Sequence, residues 1–172
     1  CTEPTFYLPI IEECHRIGIQ FLTTCFDTEL VNIFDNYLDF YKISSSDLTN
    51  RLLIMSIVEK NKPIIMSCGA SSFKEIDDAV LFIKNSNFTS KLSLLHCVLN
   101  YPCKPSDANI SMIESLRNRY SEKCEEIGYS CHVPMPDAID CCLSAVTKGA
   151  TIIEKHFTTS RIKQGNDHYH AM

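Results

Sequence analysis

The sequence predicts an α/β fold built on a parallel sheet. Short apolar segments, typical of buried strands, alternate along the chain with segments whose apolar residues recur at helical spacing. A new strand-like segment begins every ~20–35 residues, which is typical of βαβ units with parallel neighbouring strands. The length of 172 residues suffices for one domain with a substantial core.

Local signals place the individual elements. Gly18 ends the first helix, Asp27 or Thr28 caps the second, and Ser72 with Glu75 forms a capping-box signature before a later one. The predicted helices cover 6–17, 28–38, 53–58, 72–83, 107–121 and 136–149. The predicted strands cover 19–24, 40–46, 63–67, 92–97, 126–130 and 152–157.

Each predicted strand ends in polar residues. These are Thr23, Thr24, Lys42, Ser45, Ser67, His96, Ser130, His132, Glu154 and His156. A (β/α)8 barrel gathers all its strand ends at one active site, whereas a doubly wound sheet binds ligand mainly at one switch point. Six polar ends therefore favour a TIM barrel, of which about six βα units, the third to eighth strands, are present. The chain starts at Cys1 with a helix, so we expect a fragment that lacks the first two strands.

Composition narrows the class of protein. The chain is 45% hydrophobic and 22% charged, as a globular protein is, and its net charge of −5 argues against a nucleic-acid partner. It has no run of 18 apolar residues, which argues against a membrane span. The ten cysteines include no CxxC pair, which argues against a zinc ribbon. We expect reduced thiols in a cytoplasmic protein.

The segment 152–158 combines a strand pattern with ionisable residues. Glu154, Lys155 and His156 follow two isoleucines, and burying such groups is costly unless each finds a partner or a ligand. The two-residue spacing points Glu154 and His156 to the same face. A salt-bridged strand end is the plain alternative to a functional pocket.

Two histidines suggest a metal site. His132 and His156 end neighbouring predicted strands, where two imidazoles can share a divalent cation whose shell is completed by substrate oxygen and water. A lone histidine is more often structural, but two at corresponding strand ends beside Glu154 favour the metal hypothesis.

Lys42 and three serines suggest an anion site. Lys42, Ser45, Ser67 and Ser130 supply a cation and hydroxyl donors that suit a phosphate or carboxylate ligand. Ordinary loop polarity is the alternative for each serine. Tyr41 and Lys42 point in opposite directions, so only one can face the pocket.

Two loops add candidates for binding a sugar. Asp167 lies after Gly165 and Asn166, whose turn could fold it over the barrel mouth. Asn100 and Tyr101 precede Pro102 and could shape a sugar pocket, although a proline-terminated loop is the plain alternative. His168 and His170, two residues apart, could instead be exposed to solvent.

Six motifs in order carry a resemblance to a known family. They are Tyr41-Lys42-Ile43-x-Ser45, Lys62-Pro63-Ile64-Ile65-x-Ser67, Leu95-His96-Cys97-x-x-Asn100-Tyr101-Pro102, Gly128-Tyr129-Ser130-x-His132, Ile153-Glu154-Lys155-His156-Phe157-Thr158, and the closing segment 165–172. Together they resemble the N-acetylneuraminate (sialic acid) synthase family, and the resemblance covers the chain from Gly18 onward. Each motif alone is weak, but six in order are specific.

The resemblance implies condensation of phosphoenolpyruvate with N-acetylmannosamine or a related amino sugar, with release of phosphate. It implies a Mn²⁺ or Mg²⁺ cofactor that polarises the sugar aldehyde, with His132 and His156 as metal ligands. Thr24, Lys42, Ser45, Ser67 and Ser130 match phosphoenolpyruvate contacts. Asn100, Tyr101 and Asp167 match the sugar side, and Glu154, His156 and Asp47 match catalytic positions. The full-length protein is expected to be a homodimer with a C-terminal antifreeze-like domain, absent here.

Departures from the family pattern leave alternatives open. Cys131 stands where the family usually has Asp, so we expect His132 to lose an outer-shell partner. Asp47 stands where Glu is usual. The alternatives are a synthase for another nonulosonic acid, legionaminic or pseudaminic, and a non-catalytic remnant of this fold. The isolated fragment is expected to be inactive and, with two unpaired sheet edges, poorly stable.

Overall fold

The computed structural model describes residues 4–165 and 167–172. One parallel sheet runs through the molecule in the order in which its strands follow along the chain. The strands are β1 (Tyr41–Ile43), β2 (Ile64–Ser67), β3 (Leu92–His96), β4 (Glu126–Cys131) and β5 (Ile152–Lys155). The helices are α1 (Leu8–Ile17), α2 (Thr28–Phe34), α3 (Arg51–Val58), α4 (Phe73–Lys84), α5 (Met112–Tyr120) and α6 (Asp137–Thr147).

The strand order distinguishes the two sheet architectures. All four strand pairs are parallel, and each strand pairs with the next one in the sequence. A doubly wound sheet would reverse its order at a switch point, whereas a sequential order is that of a barrel. The described sheet is therefore a curled half-barrel of the α/β class.

The helix-end signals are confirmed. The Asp27 side chain accepts a hydrogen bond from the Leu30 backbone N–H, and Ser72 and Glu75 form the reciprocal capping box. Gly18 follows α1 with φ of 78°, a left-handed conformation that glycine adopts without strain. These caps define where the helices begin or end. They therefore also define the loops that connect the helices to the strand ends.

The prediction of six strands is wrong for the described chain, because residues 19–24 form no strand. Among the described residues, no backbone hydrogen bond joins 20–26 to β1. Phe21 and Cys25 are buried while Ile19 is exposed. The segment therefore packs against the core through its side chains and does not extend the hydrogen-bonded ladder of the sheet. An apolar run alone does not distinguish these two outcomes, because a strand also needs a backbone partner.

Other predicted boundaries were too wide. The helix predicted at 107–121 begins at Met112, after a separate 3-10 turn at Pro105–Asp107. β5 ends at Lys155, so His156 and Phe157 belong to the loop that follows it. The strand predicted at 40–46 is limited to Tyr41–Ile43, because residues 45–47 form a 3-10 turn.

The core lies between the sheet and its helices. β1 and β3 are buried along their whole length, and the buried aliphatic residues of α3, α4 and α5 pack against the sheet. Gly128 allows β4 and β5 to approach, since a Cβ there would lie 2.5 Å from the Ile152 carbonyl oxygen. None of the described helices has the length and apolar character that crossing a bilayer requires.

Candidate functional site

A polar cleft of about 210 Å³ lies at the C-terminal ends of the strands. It gathers eight of the residues that the sequence predicted for the site. These are Lys42, Ser45, Ser67, Tyr101, Ser130, His132, Glu154 and His156. The parallel arrangement explains the convergence, because it brings all strand ends to one edge of the sheet.

Lys42 is the buried cation of the cleft. Its Nζ donates a hydrogen bond of 2.8 Å to Ser67 Oγ and lies 3.4 Å from Glu154 Oε2. Tyr41 points to the other face and donates to Asp35 on α2's C-terminal side, so the prediction that only one of the two faces the pocket is confirmed. The Lys42 side chain is only 8% exposed and needs the anionic partner that β5 supplies.

Glu154 joins the cation to the histidine side of the cleft. Ser130 Oγ donates a hydrogen bond of 2.6 Å to Glu154 Oε1, and the same hydroxyl lies 3.5 Å from His132 Nε2. A polar chain therefore runs from Lys42 through Glu154 and Ser130 to His132. The salt-bridge and pocket interpretations of Glu154 both hold, because the residue pairs with Lys42 and also lines the cleft.

Ser45 ties together the loops that follow β1, β2 and β3. Its Oγ accepts a hydrogen bond of 2.9 Å from the Gly69 backbone N–H and lies 3.1 Å from Cys97 Sγ. Gly69 has no room for a side chain, since a Cβ there would lie 2.6 Å from Cys97 Sγ. This hydroxyl therefore helps to shape the wall of the cleft.

His132 presents its Nε2 ring nitrogen to the cleft, on the side of Ser130. Its Nδ1 donates to the Val98 carbonyl at 2.7 Å, which leaves the Nε2 lone pair facing inward. The Tyr101 ring lies against it, with centroids 4.1 Å apart. Burial lowers the pKa of His132, with His156 adding to the effect, so the ring is held neutral, as a metal ligand must be.

Three further side chains form a compact cluster of possible metal ligands. His156 Nδ1 lies 3.9 Å from Asp167 Oδ2, and His170 Nε2 lies 3.8 Å from Asp167 Oδ1. The ligand atoms of all three lie within 4.8 Å of one another. His132 borders this cluster, with its ring 5.4 Å from that of His156. The predicted sugar residue Asp167 therefore lies beside the predicted metal residue His156.

His170 was missed by the sequence reasoning. The expectation that it could be exposed is wrong, because its exposed fraction is 0%. The available signal was its spacing from Asp167, which allows two ligands three residues apart to converge within one turn. The nearby His168 differs in having a hydrogen-bond partner, because its Nδ1 bonds with Thr158 Oγ1 at 2.7 Å.

Lys155 fastens the segment that carries His170. It points away from the cleft, and its Nζ donates to the carbonyls of Val133, His170 and Cys131 at 2.9, 2.8 and 3.2 Å. Burial lowers the pKa of Lys155. The alternation along β5 therefore sends Glu154 to the cleft and Lys155 behind it, where it fixes the closing loop.

Position 131 corrects one expectation. Cys131 is fully buried on the face opposite His132, beside Cys142 and Lys155, and the outer partner of His132 is the Val98 carbonyl instead. The strand alternation accounts for this, because residues 131 and 132 point to opposite sides. Cysteine at this position therefore removes no direct partner from the His132 ring.

Four predicted residues lie outside the cleft lining, one of which is Asp167, beside His156. Thr24 is half-buried in the segment before α2, and Asn100 is exposed. Asp47 accepts hydrogen bonds from Ser44 Oγ at 2.7 Å and Asn50 Nδ2 at 3.2 Å, within the loop after β1. The geometry gives Asp47 a local ordering role, and its catalytic role stays a prediction.

A larger cavity of about 520 Å³ lies near the start of α4, with His96 and Cys97 on its wall. Its described lining is mostly apolar and includes no Lys or Arg. Burial lowers the pKa of His96, whose Nε2 donates to the Ala108 carbonyl at 2.9 Å, and the ring stacks on Tyr129. The smaller cleft, which holds the cation and the histidine cluster, is therefore the candidate site.

A family model, curated relatives and solved structures match this chain. The NeuB family model matches residues 3–172. The N,N'-diacetyllegionaminic acid synthase of Campylobacter jejuni is 34% identical over 92% of this chain and 46% of its own length. The N-acetylneuraminate-9-phosphate synthase of Drosophila melanogaster is 29% identical over 94% of this chain and 42% of its own length.

Among solved structures, the N-acetylneuraminic acid (sialic acid) synthetase of Leptospira borgpetersenii, in complex with citrate, superimposes with a TM-score of 0.88. It is 35% identical over 96% of this chain and 56% of that one. The chain thus spans about half the length of the curated relatives it matches.

Proposed function

The chain belongs to the NeuB family, and we propose that it forms most of the catalytic barrel of a nonulosonic acid synthase. The proposed reaction condenses phosphoenolpyruvate with N-acetylmannosamine or a related amino sugar and releases phosphate. The observation that carries this proposal is the polar chain from Lys42 through Glu154 and Ser130 to His132, beside the His156 cluster. It places a cation with hydroxyl donors next to neutral imidazoles.

Lys42 and the serines form the proposed phosphoenolpyruvate end. Lys42 donates to Ser67 Oγ and Ser130 Oγ donates to Glu154, so these groups are held in place before a ligand arrives. A multiply charged anion gains charge-assisted hydrogen bonds from such a set. Because these donors are already oriented, ordering them on ligand binding costs little free energy. This favours the Lys42 end of the cleft as the anion site.

The histidine side forms the proposed carbonyl end. His132 and His156 offer imidazole nitrogens that fit a divalent cation, Mn²⁺ or Mg²⁺. The nitrogens of buried His170, which have no hydrogen-bond partner among the residues that the structure describes, support the fit. When bound there, such an ion supplies Lewis-acid polarisation of the sugar aldehyde. Tyr101 and Asp167 lie beside these histidines, where they would orient the sugar.

Glu154 is the proposed proton acceptor. In the proposed reaction the C3 carbon of phosphoenolpyruvate bonds to the sugar aldehyde carbon, and the aldehyde oxygen takes up a proton to become a hydroxyl. Water adds to C2, the C2–O bond to phosphate breaks to leave a ketone, and the two protons of the water pass to the aldehyde oxygen and to the leaving phosphate. The added water must lose a proton, and the Glu154 carboxylate, with its partner Ser130, lies between the two ends of the cleft. Lys42 Nζ, 3.4 Å from Glu154 Oε2, would hold this carboxylate in position for that transfer.

The wider proposals rest on the family. They are an eight-stranded barrel of which this chain forms part, a homodimeric full-length protein, and a cytoplasmic location. A synthase for legionaminic acid is the second candidate, favoured by the similarity to the C. jejuni enzyme. Pseudaminic acid synthesis and a non-catalytic remnant remain further alternatives.

The test measures phosphate release from phosphoenolpyruvate by the complete gene product, with Mn²⁺ and with N-acetylmannosamine or the diacetylated sugar precursor. We expect release that requires one sugar and is abolished by a chelator. Glu154→Gln should lower the rate about 100-fold or more, in the range of a lost general base. Absence of release with every sugar, together with absence of phosphoenolpyruvate binding, would favour the remnant.

A further inference from the structure

The cavity of about 520 Å³ between the first turns of α4 and α5 is not used by the proposed reaction. Its volume lies within the roughly 300–1,000 Å³ that is usual for small-molecule sites. The wall consists mainly of apolar side chains of the two helices, among them Phe73, Ile76, Met112 and Leu116. Such a wall favours an alkyl or acyl group over a charged one, and methionine adapts its shape to a ligand.

The cavity adjoins the candidate site. Cys97 and Leu99 line both the cavity and the polar cleft. Cys97 is buried and its Sγ lies 3.1 Å from Ser45 Oγ, whereas the Leu99 side chain is 43% exposed. Tyr101, two residues after Leu99, lines the cleft with its ring against that of His132. The segment that holds a ligand beside Tyr101 therefore also borders the cavity, so one ligand can extend from the cleft into it.

Polar groups at the cavity match an amide. His96 Nε2 donates to the Ala108 carbonyl at 2.9 Å, so its Nδ1 carries the lone pair of the ring and can accept a hydrogen bond. Within the described part of the chain no residue donates to this nitrogen. Asn109 is exposed on the rim of the cavity, where its carboxamide N–H can donate. An acceptor and a donor beside an apolar wall suit an acylamino group, with its N–H, carbonyl and alkyl parts.

The rim of the cavity is held in an uncommon backbone conformation. Ala70 and Asn109 adopt φ of 52° and 45°, in the left-handed region that alanine rarely occupies. Ser71 Oγ donates to the Gly69 carbonyl at 3.2 Å, and the Gly69 N–H donates to Ser45 Oγ at 2.9 Å, which ties this rim to the cleft wall. Such conformations persist where the surrounding contacts hold them, and they cluster at binding sites. The rim therefore has a fixed shape before a ligand binds.

We propose that this cavity binds the second acylamino group of a diacylated amino sugar whose aldehyde end lies in the cleft. The inference rests on the proposed function, because it assigns the far end of the same substrate. The first acylamino group is on the carbon next to the aldehyde, so it stays with Tyr101 and Asp167 beside the histidines. Only a substituent farther along the sugar can pass Leu99. The cavity therefore selects a diacylated sugar over N-acetylmannosamine.

The size of the cavity gives the proposal a measurable signature. The cavity is larger than an acetyl group requires, so a longer acyl chain on the second nitrogen has further apolar wall to contact. Each buried methylene should raise the affinity about 4-fold. The second acylamino group as a whole should raise it about 10-fold or more, in the range of a pocket that distinguishes a substrate group from its absence.

The experiment is calorimetric titration of the complete gene product, with phosphoenolpyruvate present, using the reduced forms of the sugars. These alditols lack the aldehyde and cannot react. The series comprises the monoacetylated alditol, the diacetylated one, and analogues with propionyl or butanoyl on the second nitrogen. Met112→Trp fills the cavity from α5, and Asn109→Gly removes the donor while keeping the left-handed backbone. Met55→Trp on α3 is the matched control, since Met55 lines neither the cavity nor the cleft. Thermal melting checks that each variant is folded.

We expect the wild type to bind the diacetylated alditol about 10-fold or more tightly than the monoacetylated one, with a further gain of about 4-fold per methylene. Met112→Trp should remove the gain with chain length, because the larger ring occupies the cavity. Asn109→Gly should lower the affinity for the diacetylated alditol about 2- to 12-fold, as the loss of one hydrogen bond does. Met55→Trp should leave every affinity unchanged.

The ratio of the di- to the monoacetylated affinity is the decisive quantity, because a general loss of structure lowers both affinities together. Equal affinity of the wild type for the two alditols overturns the proposal, as does absence of binding by both. A chain-length gain that survives in Met112→Trp also overturns it, provided that the variant is folded.

The outcomes for the cavity and for the proposed function can be separated. Phosphate release together with equal affinity for the two alditols would leave the synthase proposal intact and overturn this one. Affinity that depends on the second acyl chain and on Met112, without phosphate release from either unreduced sugar, would support the cavity assignment and overturn the proposed reaction.

Discussion

Replacing Lys42 with methionine should weaken ligand binding strongly while changing the free energy of unfolding only slightly. Lys42 is buried and serves both Ser67 and Glu154, yet the Glu154 side chain is 39% exposed and stays hydrated when its partner is lost. Methionine also fills much of the space left by the lysine stem. We therefore expect a change of only about 1 kcal/mol in the free energy of unfolding, below the 3–5 kcal/mol of a fully buried pair.

The effect of Lys42→Met on phosphoenolpyruvate binding should be much larger. A hydrogen bond to a charged group contributes about 1.5–3 kcal/mol, which corresponds to a loss of roughly 10- to 150-fold in affinity. The measurement is calorimetric titration with phosphoenolpyruvate in the presence of a chelator, so that no metal contributes. Urea unfolding of the same samples gives the stability.

Lys155→Met is the matched control for Lys42→Met. Lys155 is the next cationic residue at this sheet edge but lies behind β5, where it serves three backbone carbonyls. Losing these bonds should destabilise the protein by about 2–4 kcal/mol, while metal-free phosphoenolpyruvate affinity stays unchanged. Equal phosphoenolpyruvate affinity in wild type and Lys42→Met would refute the assignment of Lys42 to the anion site.

Three further predictions test other parts of the structure. Gly128→Ala should destabilise the protein by about 1–3 kcal/mol in urea unfolding, because its Cβ would meet the Ile152 carbonyl at 2.5 Å, and unchanged stability would contradict the close β4–β5 approach. Burial lowers the pKa of His96, so the unfolded chain binds protons more readily, and stability should be complete above a pH of about 6.5 and fall as the pH drops through it; His96→Gln should flatten the profile. Cys131→Asp should change Mn²⁺ affinity less than about threefold, below the 10- to 100-fold of an outer-shell partner, and a larger gain would show that residue 131 acts on His132.

The sequence could predict the cleft because strand alternation and parallel order are local rules. Given that Lys42, Ser67, Ser130, His132 and Glu154 end parallel strands, their convergence follows from the topology. The cap residues Asp27 and Ser72 were predictable for the same reason, since each side chain accepts a hydrogen bond from the backbone N–H three residues later.

What the sequence could not predict depends on distant contacts. Residues 19–24 have the composition of a strand, but a ladder requires a backbone partner that composition does not reveal. The burial of His170 depends on the bond from Lys155 to its carbonyl and on the bond from the Met172 N–H to the His156 carbonyl, which a pattern within one loop does not show. Asp47 has a residue type suited to catalysis, but its carboxylate is engaged by Ser44 and Asn50.

β5 shows how one short strand organises both the site and its closing loop. Glu154 faces the cleft and pairs with Lys42, whereas Lys155 faces the back and holds the His170 carbonyl. Just beyond the strand, His156 offers its ring to the metal cluster and its carbonyl to Met172. Because successive side chains alternate, a one-residue shift in register would exchange the roles of Glu154 and Lys155 and disrupt the cleft and loop together. The charged residues that make this strand atypical in composition are therefore the ones that couple the substrate end of the site to its metal end.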